Sequence, residues 1–305
     1  MSFDVIVVGG SFAGLSAAIQ LARARRRVLV IDSGQPRNRF AAASHGFFGQ
    51  DGESPSAILE HARAQVLAYP AAQFVVGSAS HARKATQSFE VTLATGEKHT
   101  ASRLILATGV VDELADLPGL RERWGTSVLH CHYCHGFEVA GRRLGLLATS
   151  ERSLPAALLL PDWSDDVTLF TNGVLTPTDD QLSALRARGV RVEPERVEAL
   201  HGAVPGLTGV KMRDGRTLPI DALFTGSRTR MSSPLAEQLG CAFDDGPTGP
   251  FIRTDASKQT TVPGVYAAGD AARAAHNASW AAADGVTAGI SAHQSLVLPQ
   301  PACTG

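Results

Sequence analysis

Residues 4–14 read Asp4-Val5-Ile6-Val7-Val8-Gly9-Gly10-Ser11-Phe12-Ala13-Gly14. The apolar run that ends at Val8 is typical of a strand buried on both faces of a parallel sheet. A helical pattern follows from Leu15 to Arg23, and a second apolar run, Val28 to Ile31, ends in Asp32. A strand, a glycine-rich turn, a helix and a second strand in this order predict a β-α-β unit.

The turn has the residues that a dinucleotide site needs. Gly9 permits a tight turn that aims the helix N-terminus at a pyrophosphate, and Gly14 permits close packing of helix on strand. Asp32, 18 residues beyond Gly14, can accept hydrogen bonds from the ribose hydroxyls of the adenosine. Ser11 replaces the middle glycine of the usual motif and is still small. We therefore predict a bound dinucleotide.

Other segments predict a larger α/β architecture. Leu144 to Leu147, Ser153 to Leu160 and Val167 to Phe170 have the pattern of a second β-α-β unit. Further strands are predicted at Phe89 to Leu93, His99 to Ser102, Leu104 to Ala107 and Val265 to Ala268, and irregular connectors at Val110 to Gly119 and Gly246 to Gly249. The fold class is therefore α/β, with two doubly wound, Rossmann-like domains.

Composition excludes several classes of protein. The chain has 305 residues, 44% of them hydrophobic, and a formal net charge of −1. We expect no nucleic-acid partner, since that binding needs a basic surface, and no membrane segment, since no apolar run is long enough. The N-terminus lacks the basic and apolar regions of a signal peptide. We expect a cytoplasmic protein.

Residues 129–138 read Leu129-His130-Cys131-His132-Tyr133-Cys134-His135-Gly136-Phe137-Glu138. The two cysteines, three apart, can close a small disulfide, contribute to a metal site or attach a haem. A structural zinc needs about four ligands, and the other cysteines, Cys241 and Cys303, are isolated. On this segment alone, a redox dithiol, a haem or zinc site and inert cysteines all remain open; we expect no metal.

Four motifs together resemble the low-molecular-weight thioredoxin reductases. They are Gly9-Gly10-Ser11-Phe12-Ala13-Gly14, Ala107-Thr108-Gly109, Cys131-x-x-Cys134 and Ala268-Gly269-Asp270. The resemblance covers essentially the whole chain. It implies a discontinuous FAD-binding domain, residues 1–112 and 246–305, with a smaller NAD(P)-type domain carrying the cysteines inserted at residues 113–245. It also implies a homodimer.

The resemblance assigns roles to individual residues. In the family the second cysteine faces the flavin and the first exchanges with the substrate, roles that fall here on Cys134 and Cys131. The FAD-contacting positions correspond to Gly9, Gly10, Ser11, Ala13, Gly14, Asp32, Thr108, Gly109, Gly269 and Asp270.

The chain departs from the family in three places. The glycine-rich NADPH loop of the second domain is here Ala148-Thr149-Ser150-Glu151-Arg152-Ser153, and the basic run that pairs with the 2′-phosphate is Thr171-Asn172-Gly173. The acid that follows the second cysteine in the reductases is His135. Loss of the phosphate turn together with its charge partners predicts weak NADPH binding.

These departures make the chain similar to the flavin-dependent dithiol oxidases of the gliotoxin, holomycin and romidepsin pathways. We expect a thiol oxidase that forms a disulfide in a small-molecule or peptide dithiol, with oxygen as acceptor. His135 and His276 are the candidate bases for the thiol, with His130 and His132 as further candidates. The alternatives are an NAD(P)H- or ferredoxin-dependent disulfide reductase and a non-enzymatic redox sensor.

Overall fold

The computed structural model describes residues 2–298 as two Rossmann-like lobes. The helices of those residues are α1 Phe12–Arg23, α2 Pro55–Leu67, α3 His132–His135, α4 Ser153–Leu159, α5 Asp179–Ala187, α6 Leu235–Gln238 and α7 Ala278–Val297. The strands are β1 Ser2–Val8, β2 Val28–Asp32, β3 Ala72–Val76, β4 Ala79–Lys84, β5 Phe89–Leu93, β6 Lys98–Leu106, β7 Val110–Glu113, β8 Val128–Leu129, β9 Leu144–Leu147, β10 Val167–Phe170, β11 Val190–Glu193, β12 Val197–His201, β13 Gly209–Met212, β14 Thr217–Leu218, β15 Ala222–Thr225, β16 Arg228–Met231, β17 Phe243–Asp245, β18 Pro250–Ile252 and β19 Val265–Ala267.

The sheet of the first lobe has the order β3-β2-β1-β6-β5-β4, with β19 paired to β6. Strands β3, β2, β1, β6 and β19 are parallel, and β5 and β4 continue the sheet antiparallel. Side chains of β1 alternate between two cores: Ile6 packs with Leu29 on one face, and Val5 and Val7 pack against α1 and α7 on the other. Burial on both faces explains the continuous apolar runs in the sequence.

The second lobe repeats this arrangement on a smaller scale. Its parallel sheet has the order β11-β10-β9-β15-β8, and a separate antiparallel sheet is formed by β12, β13 and β14. The predicted α/β class with two Rossmann-like domains is confirmed. In each sheet the carboxyl ends of the parallel strands meet at one edge, where ligands of this fold bind.

The lobes are joined by a two-stranded antiparallel ribbon made of β7 and β16. The chain therefore crosses to the second lobe at Val110–Glu113 and returns at Arg228–Met231. Residues 232–245, which we assigned to the inserted domain, pack on the first lobe, since Leu235, Ala236 and Cys241 lie in its core. The return crossing thus precedes the predicted boundary at residue 246.

Three local predictions were wrong because long-range pairing decides these segments. The strands predicted at His99–Ser102 and Leu104–Ala107 form one strand, since pairing with β1 continues through Arg103, whose Nε donates to Ser295 Oγ (2.8 Å). The predicted connector at Val110–Gly119 begins with a strand of the ribbon. The Gly246–Gly249 connector is instead the turn between β17 and β18.

Candidate active site

The glycine turn between β1 and α1 is set by backbone crowding. Gly9 has a φ of +106°, and a Cβ at this position would lie 2.1 Å from the carbonyl oxygen of Ala107. A Cβ on Gly14 would lie 1.7 Å from the carbonyl oxygen of Gly9. A side chain at either position would therefore push β1, β6 or α1 apart, which explains why glycine is required there.

The N-terminus of α1 is open to an anion. Among the described residues, no side chain caps it: Ser11 makes no capping hydrogen bond, and the first turn contains no acidic residue. The Gly10 amide donates to Asp32 Oδ1 (3.0 Å), and within residues 2–298 no hydrogen bond reaches Asp32 Oδ2. Free amides at a helix N-terminus attract a pyrophosphate, and a free carboxylate oxygen can accept from a ribose hydroxyl.

Gly269 and Asp270 lie beside this turn because α7 packs closely on α1. A Cβ on Gly285 would lie 2.0 Å from the carbonyl oxygen of Ala13, and a Cβ on Gly269 would lie 2.9 Å from the Cβ of Ala13. The small residues of α7 thus allow its close contact with α1. Thr108 and Gly109 lie one strand away, after the end of β6, and both carbonyl oxygens accept from Ser232 Oγ.

Arg37, which we had not predicted, links the first lobe to the ribbon. Its guanidinium donates to both carboxylate oxygens of Asp112 in β7 (2.8 and 2.6 Å) and to Asp270 Oδ2 (2.9 Å). Ser227 Oγ also donates to Asp112 (2.6 Å). Although partial burial would favour its neutral form, hydrogen bonds from Arg37 and the charge of Arg37 hold the pKa of Asp112 below its usual value. Asp112 is therefore ionised, and Arg37 holds the start of the second lobe against the predicted FAD motif.

Cys131 and Cys134 form a disulfide at α3 in the second lobe. Cys131 precedes the helix, and its sulfur accepts a hydrogen bond from the Cys134 amide (3.1 Å). In the reduced pair this donor would stabilise a thiolate on Cys131. The far side of the helical turn is packed: a Cβ on Gly136 would lie 2.7 Å from Trp163 Nε1. Both sulfurs are only partly buried.

Three of the candidate histidines are close enough for their charges to interact. The pKa of His130 is lowered to about 4, mainly by loss of solvation. The charges of Arg37, His135 and His276 lower it further, and the charge of Asp112 opposes the decrease. The His130 side chain is nevertheless exposed, so water moderates this effect. The structure thus brings residues of both lobes together beside the disulfide.

Burial lowers the pKa of His135, with a further decrease from His45 and an opposing effect of Glu138. Burial also lowers the pKa of His276, where Asp270 opposes the change. Both imidazoles are therefore neutral near pH 7 and able to accept a proton. His132 differs, because its ring packs edge-on against Trp163 (5.3 Å between ring centroids), which is a structural role.

A loop of the first lobe, residues 37–50, touches the second lobe beside the disulfide; we call it the bridging loop. His45 Nε2 lies 3.3 Å from Oε1 of Glu138, four residues after Cys134. A Cβ on Gly125 would lie 2.7 Å from the Cβ of Phe40, so the two backbones also approach closely. No local sequence pattern indicated that this loop contacts the other lobe.

The corresponding turn of the second lobe is closed. Between β9 and α4, the Thr149 amide donates to Ser153 Oγ (3.1 Å) and the Arg152 amide to Ser150 Oγ (3.3 Å). The Ser153 amide donates to the Ser150 carbonyl oxygen (3.0 Å). Amides that would face a pyrophosphate in an open turn are therefore already paired.

Arginines approach the end of β10 from elsewhere in the sequence. Asn172 and Gly173 line an open cavity of about 490 Å³ together with Arg196, Arg213 and Glu198. Nε of Arg196 would lie 3.0 Å from a Cβ on Gly173. The sequence did not indicate Arg196 and Arg213, because the family's basic run follows one strand and these two arginines follow others. They are the observation that favours a nucleotide in this lobe.

Residues 2–298 contain neither a metal-binding cluster nor a helix that could cross a membrane. No cluster of three or more His, Cys, Asp or Glu side chains has a geometry that could hold a metal ion. No helix in this part of the chain combines the length and apolar character needed to cross a bilayer.

The pyridine nucleotide-disulphide oxidoreductase family matches residues 3–285. The chain belongs to this family. It is 33% identical to thioredoxin reductase tcpT of Claviceps purpurea, over 96% of this chain and 94% of the relative. Among solved structures, an oxidoreductase from Agrobacterium tumefaciens is 47% identical with a TM-score of 0.94, covering 98% of this chain and 100% of that one. HlmI is 41% identical with a TM-score of 0.90, covering 97% and 93%.

Family membership confirms the predicted resemblance, the class of enzyme and the cofactor. The protein is a thioredoxin reductase-like, FAD-dependent oxidoreductase that acts on sulfur groups. The first lobe fits FAD, since within residues 2–298 no side chain caps the N-terminal amides of α1 and Asp32 lies beside them. The individual residue assignments made from the sequence stay predictions. The structure gathers the FAD-contacting residues at the carboxyl ends of β1, β2, β6 and β19, keeps the cysteines at α3, and adds Arg37, Asp112 and His45.

Proposed function

We propose that the protein is a thiol oxidase that converts a small-molecule or peptide dithiol into a disulfide, with oxygen as the electron acceptor. The observation that carries this proposal is the contrast between the open turn of the first lobe and the closed turn of the second. A cysteine pair beside a flavin site, with poor access for NADPH, needs electrons from its thiol substrate. We further propose that the enzyme acts as a cytoplasmic homodimer.

The chemistry at the cysteines is a pair of thiol–disulfide exchanges. A substrate thiolate attacks the sulfur of Cys131, the Cys131–Cys134 bond breaks, and Cys134 leaves as a thiolate. The second substrate thiolate then attacks the substrate sulfur of the mixed disulfide, and Cys131 leaves as a thiolate stabilised by the Cys134 amide. The substrate loses two electrons and two protons, and the enzyme gains the electron pair.

Histidine side chains of the protein serve as the proton acceptor. His135 follows Cys134 directly, and burial keeps its imidazole neutral near pH 7, so it can take a proton from the incoming thiol. His276 approaches from the first lobe and is the second candidate. Bound FAD supplies the two-electron acceptor that restores the disulfide, and oxygen takes the electron pair with two protons as hydrogen peroxide.

Stopped-flow measurement of the two half-reactions tests the proposal. Cys131→Ser and Cys134→Ser should each abolish dithiol turnover and leave FAD bound, whereas Cys241→Ala, which removes a buried thiol of the other lobe, should retain turnover. Peroxide should form in step with dithiol consumption. Flavin reduction by the dithiol without peroxide formation would point to a protein acceptor, and the absence of any flavin reduction by dithiols would favour a redox sensor.

His135→Ala should slow flavin reduction by dithiol about 10²–10⁴-fold, as expected for loss of a general base. Flavin reoxidation by oxygen should hardly change, since the incoming thiol takes no part in it. His61→Ala, at an exposed position in α2, is the matched control. An unchanged reductive rate in His135→Ala would move the role to His276.

The second candidate function is an NAD(P)H-dependent disulfide reductase. Arg196 and Arg213 at the cavity beside β10 favour it, because arginines bind phosphate. Anaerobic mixing with NADPH decides between the two functions: stoichiometric loss of flavin absorbance at micromolar NADPH would support the reductase and contradict the oxidase.

A further inference from the structure

Three aromatic side chains near the disulfide are unusually exposed. Phe48 is 100% exposed, Phe137 83% and Tyr133 72%. Aromatic side chains normally bury most of their surface, because each can remove about 150–250 Å² from water. Exposure of three of them beside a reactive group indicates a contact surface rather than chance.

Two of these rings belong to the helical turn that carries the disulfide. Phe137 follows Cys134 by three positions, and residues three apart share a face of a helical turn. Tyr133 directly precedes Cys134, and its ring packs edge-on against Trp163 (5.5 Å between ring centroids) on the packed side of the turn. Phe137 therefore shares a face with Cys134, and Tyr133 marks the edge between this face and the packed side.

The third ring comes from the other lobe. Phe48 lies in the bridging loop, three residues after His45, which contacts Glu138 at 3.3 Å. The loop is fastened at its C-terminal end, since the Ser44 amide donates to the Glu53 carbonyl oxygen (2.8 Å) and Phe47 packs edge-on against Phe12 of α1 (5.3 Å between ring centroids). Phe48 is thus presented on the side of the molecule where α3 meets the bridging loop.

The surface formed by Phe48, Tyr133 and Phe137, which we call the aromatic edge, is apolar and has little charge around it. Glu138 is the one acidic residue in residues 129–138, and it is paired with His45; burial keeps the nearby His135 neutral. The rings could together cover about 450–750 Å², less than the roughly 800 Å² that each partner contributes to a standard protein interface. Their size and chemistry suit a small apolar molecule.

We propose that Phe48, Tyr133 and Phe137 bind the apolar or aromatic part of a small dithiol and hold its sulfurs at the Cys131–Cys134 disulfide. This proposal rests on the proposed thiol oxidase function. It makes the three residues determinants of substrate specificity that act on binding and take no part in the exchange of electrons or protons.

The test compares two dithiols on the FAD-loaded enzyme: 1,2-benzenedimethanethiol, which carries an aromatic ring, and dithiothreitol, which is small and polar. Removing one aromatic contact should cost about tenfold in kcat/KM. The double variant Phe48→Ala/Phe137→Ala should therefore lose about a hundredfold for the aromatic dithiol, through KM, and at most about threefold for dithiothreitol. Phe137→Tyr should retain wild-type specificity.

Leu67→Ala removes an exposed apolar side chain at the end of α2 and is the matched control, with both substrates expected at wild-type rates. A second readout is independent of turnover. The bis(methyl thioether) of the aromatic dithiol cannot be oxidised to a disulfide, and calorimetry should show that it binds the wild type and fails to bind the double variant.

The outcomes separate this proposal from the proposed function. If the wild type oxidises neither dithiol, the oxidase function is wrong. If the wild type oxidises both and the double variant keeps its preference, the aromatic edge has no role in recognition. Equal losses for both dithiols would show that the rings only support α3, and a preference for a protein dithiol that the double variant loses would overturn the choice of a small substrate.

Discussion

In the first lobe, β1 runs into α1 through Gly9 and Gly10, whereas in the second lobe β9 runs into α4 through a turn without glycine. Among residues 2–298, no side chain caps the N-terminal amides of α1 at the first turn, and Asp32 lies at the end of the next strand. In the second, serine side chains accept from the amides, and a seven-residue helix follows. One sheet architecture thus supports an open dinucleotide turn in one lobe and a closed turn in the other.

This difference shows that the fold alone does not settle nucleotide binding. Both turns lie at the carboxyl end of a central parallel strand, where ligands of this fold bind. What changes is whether the backbone amides have partners within the protein. A dinucleotide must offer better hydrogen bonds than those already present, and only the first turn leaves that possibility open.

The largest expected effect concerns the open turn. Gly9→Ala would place a Cβ 2.1 Å from the Ala107 carbonyl oxygen, so the turn must rearrange and the purified protein should contain no FAD. Gly141→Ala is the matched control: Gly141 also has a positive φ (+71°), but no atom lies within 4 Å of the added Cβ. It should cost about 1 kcal/mol and retain FAD. Flavin absorbance per protein measures both, and full flavin content in Gly9→Ala would contradict the geometry.

The next effect concerns the closed turn. A family member with an open loop and a basic run makes two or three charge-assisted contacts to NADPH that this chain lacks. Each such contact contributes about 1.5–3 kcal/mol, so NADPH should bind this protein at least a hundredfold more weakly. Anaerobic flavin reduction should therefore be slow at micromolar NADPH. If residual reduction is seen at high concentration, Arg196→Ala/Arg213→Ala should remove it, which would locate the nucleotide in the cavity beside β10.

A smaller effect concerns the join between the lobes. Arg37→Ala would leave the largely buried Asp112 and the nearby Asp270 without their cation, and breaking such a pair should destabilise the protein by about 3 kcal/mol. Urea unfolding followed by tryptophan fluorescence measures this. Arg143→Ala breaks the more exposed pair with Asp221 and should leave stability nearly unchanged. Equal stability of the two variants would show that the Arg37 contacts do not hold the lobes together.

The smallest effect is a dependence on pH. Burial lowers the pKa of His132, His135 and His276 below the ordinary value of about 6.5. Between the folded pKa values and about pH 6.5, the unfolded chain binds more protons than the folded one, so stability is complete above this window and falls as the pH drops through it. His135→Ala should reduce this acid sensitivity, and an identical pH dependence of unfolding in both proteins would exclude His135 as a contributor.

Part of the site could be predicted from local sequence. The apolar run to Val8, the turn at Gly9 and the acid at Asp32 are encoded within one β-α-β unit, and the spacing of Cys131 and Cys134 permits the disulfide that the structure contains. The missing glycines at residues 148–153 were also visible, because a turn needs particular residues at particular positions. Such features depend on chain neighbours, and periodicity and turn chemistry describe them well.

The tertiary structure decided how these parts meet. Arg37 contacts Asp270 across 233 residues of sequence, and His45 of one lobe meets Glu138 of the other. Neither pair has a local signature, since an arginine or a histidine in a polar loop has the same pattern with or without a distant partner. The ribbon between the lobes was missed because Val110–Glu113 becomes a strand only by pairing with Arg228–Met231. The sequence by itself determined which chemical groups the protein has. Long-range packing decided that Arg37 and His45 of the first lobe reach the ribbon and the segment after the disulfide, because proximity between distant residues follows from burial of whole surfaces and not from the order of neighbours.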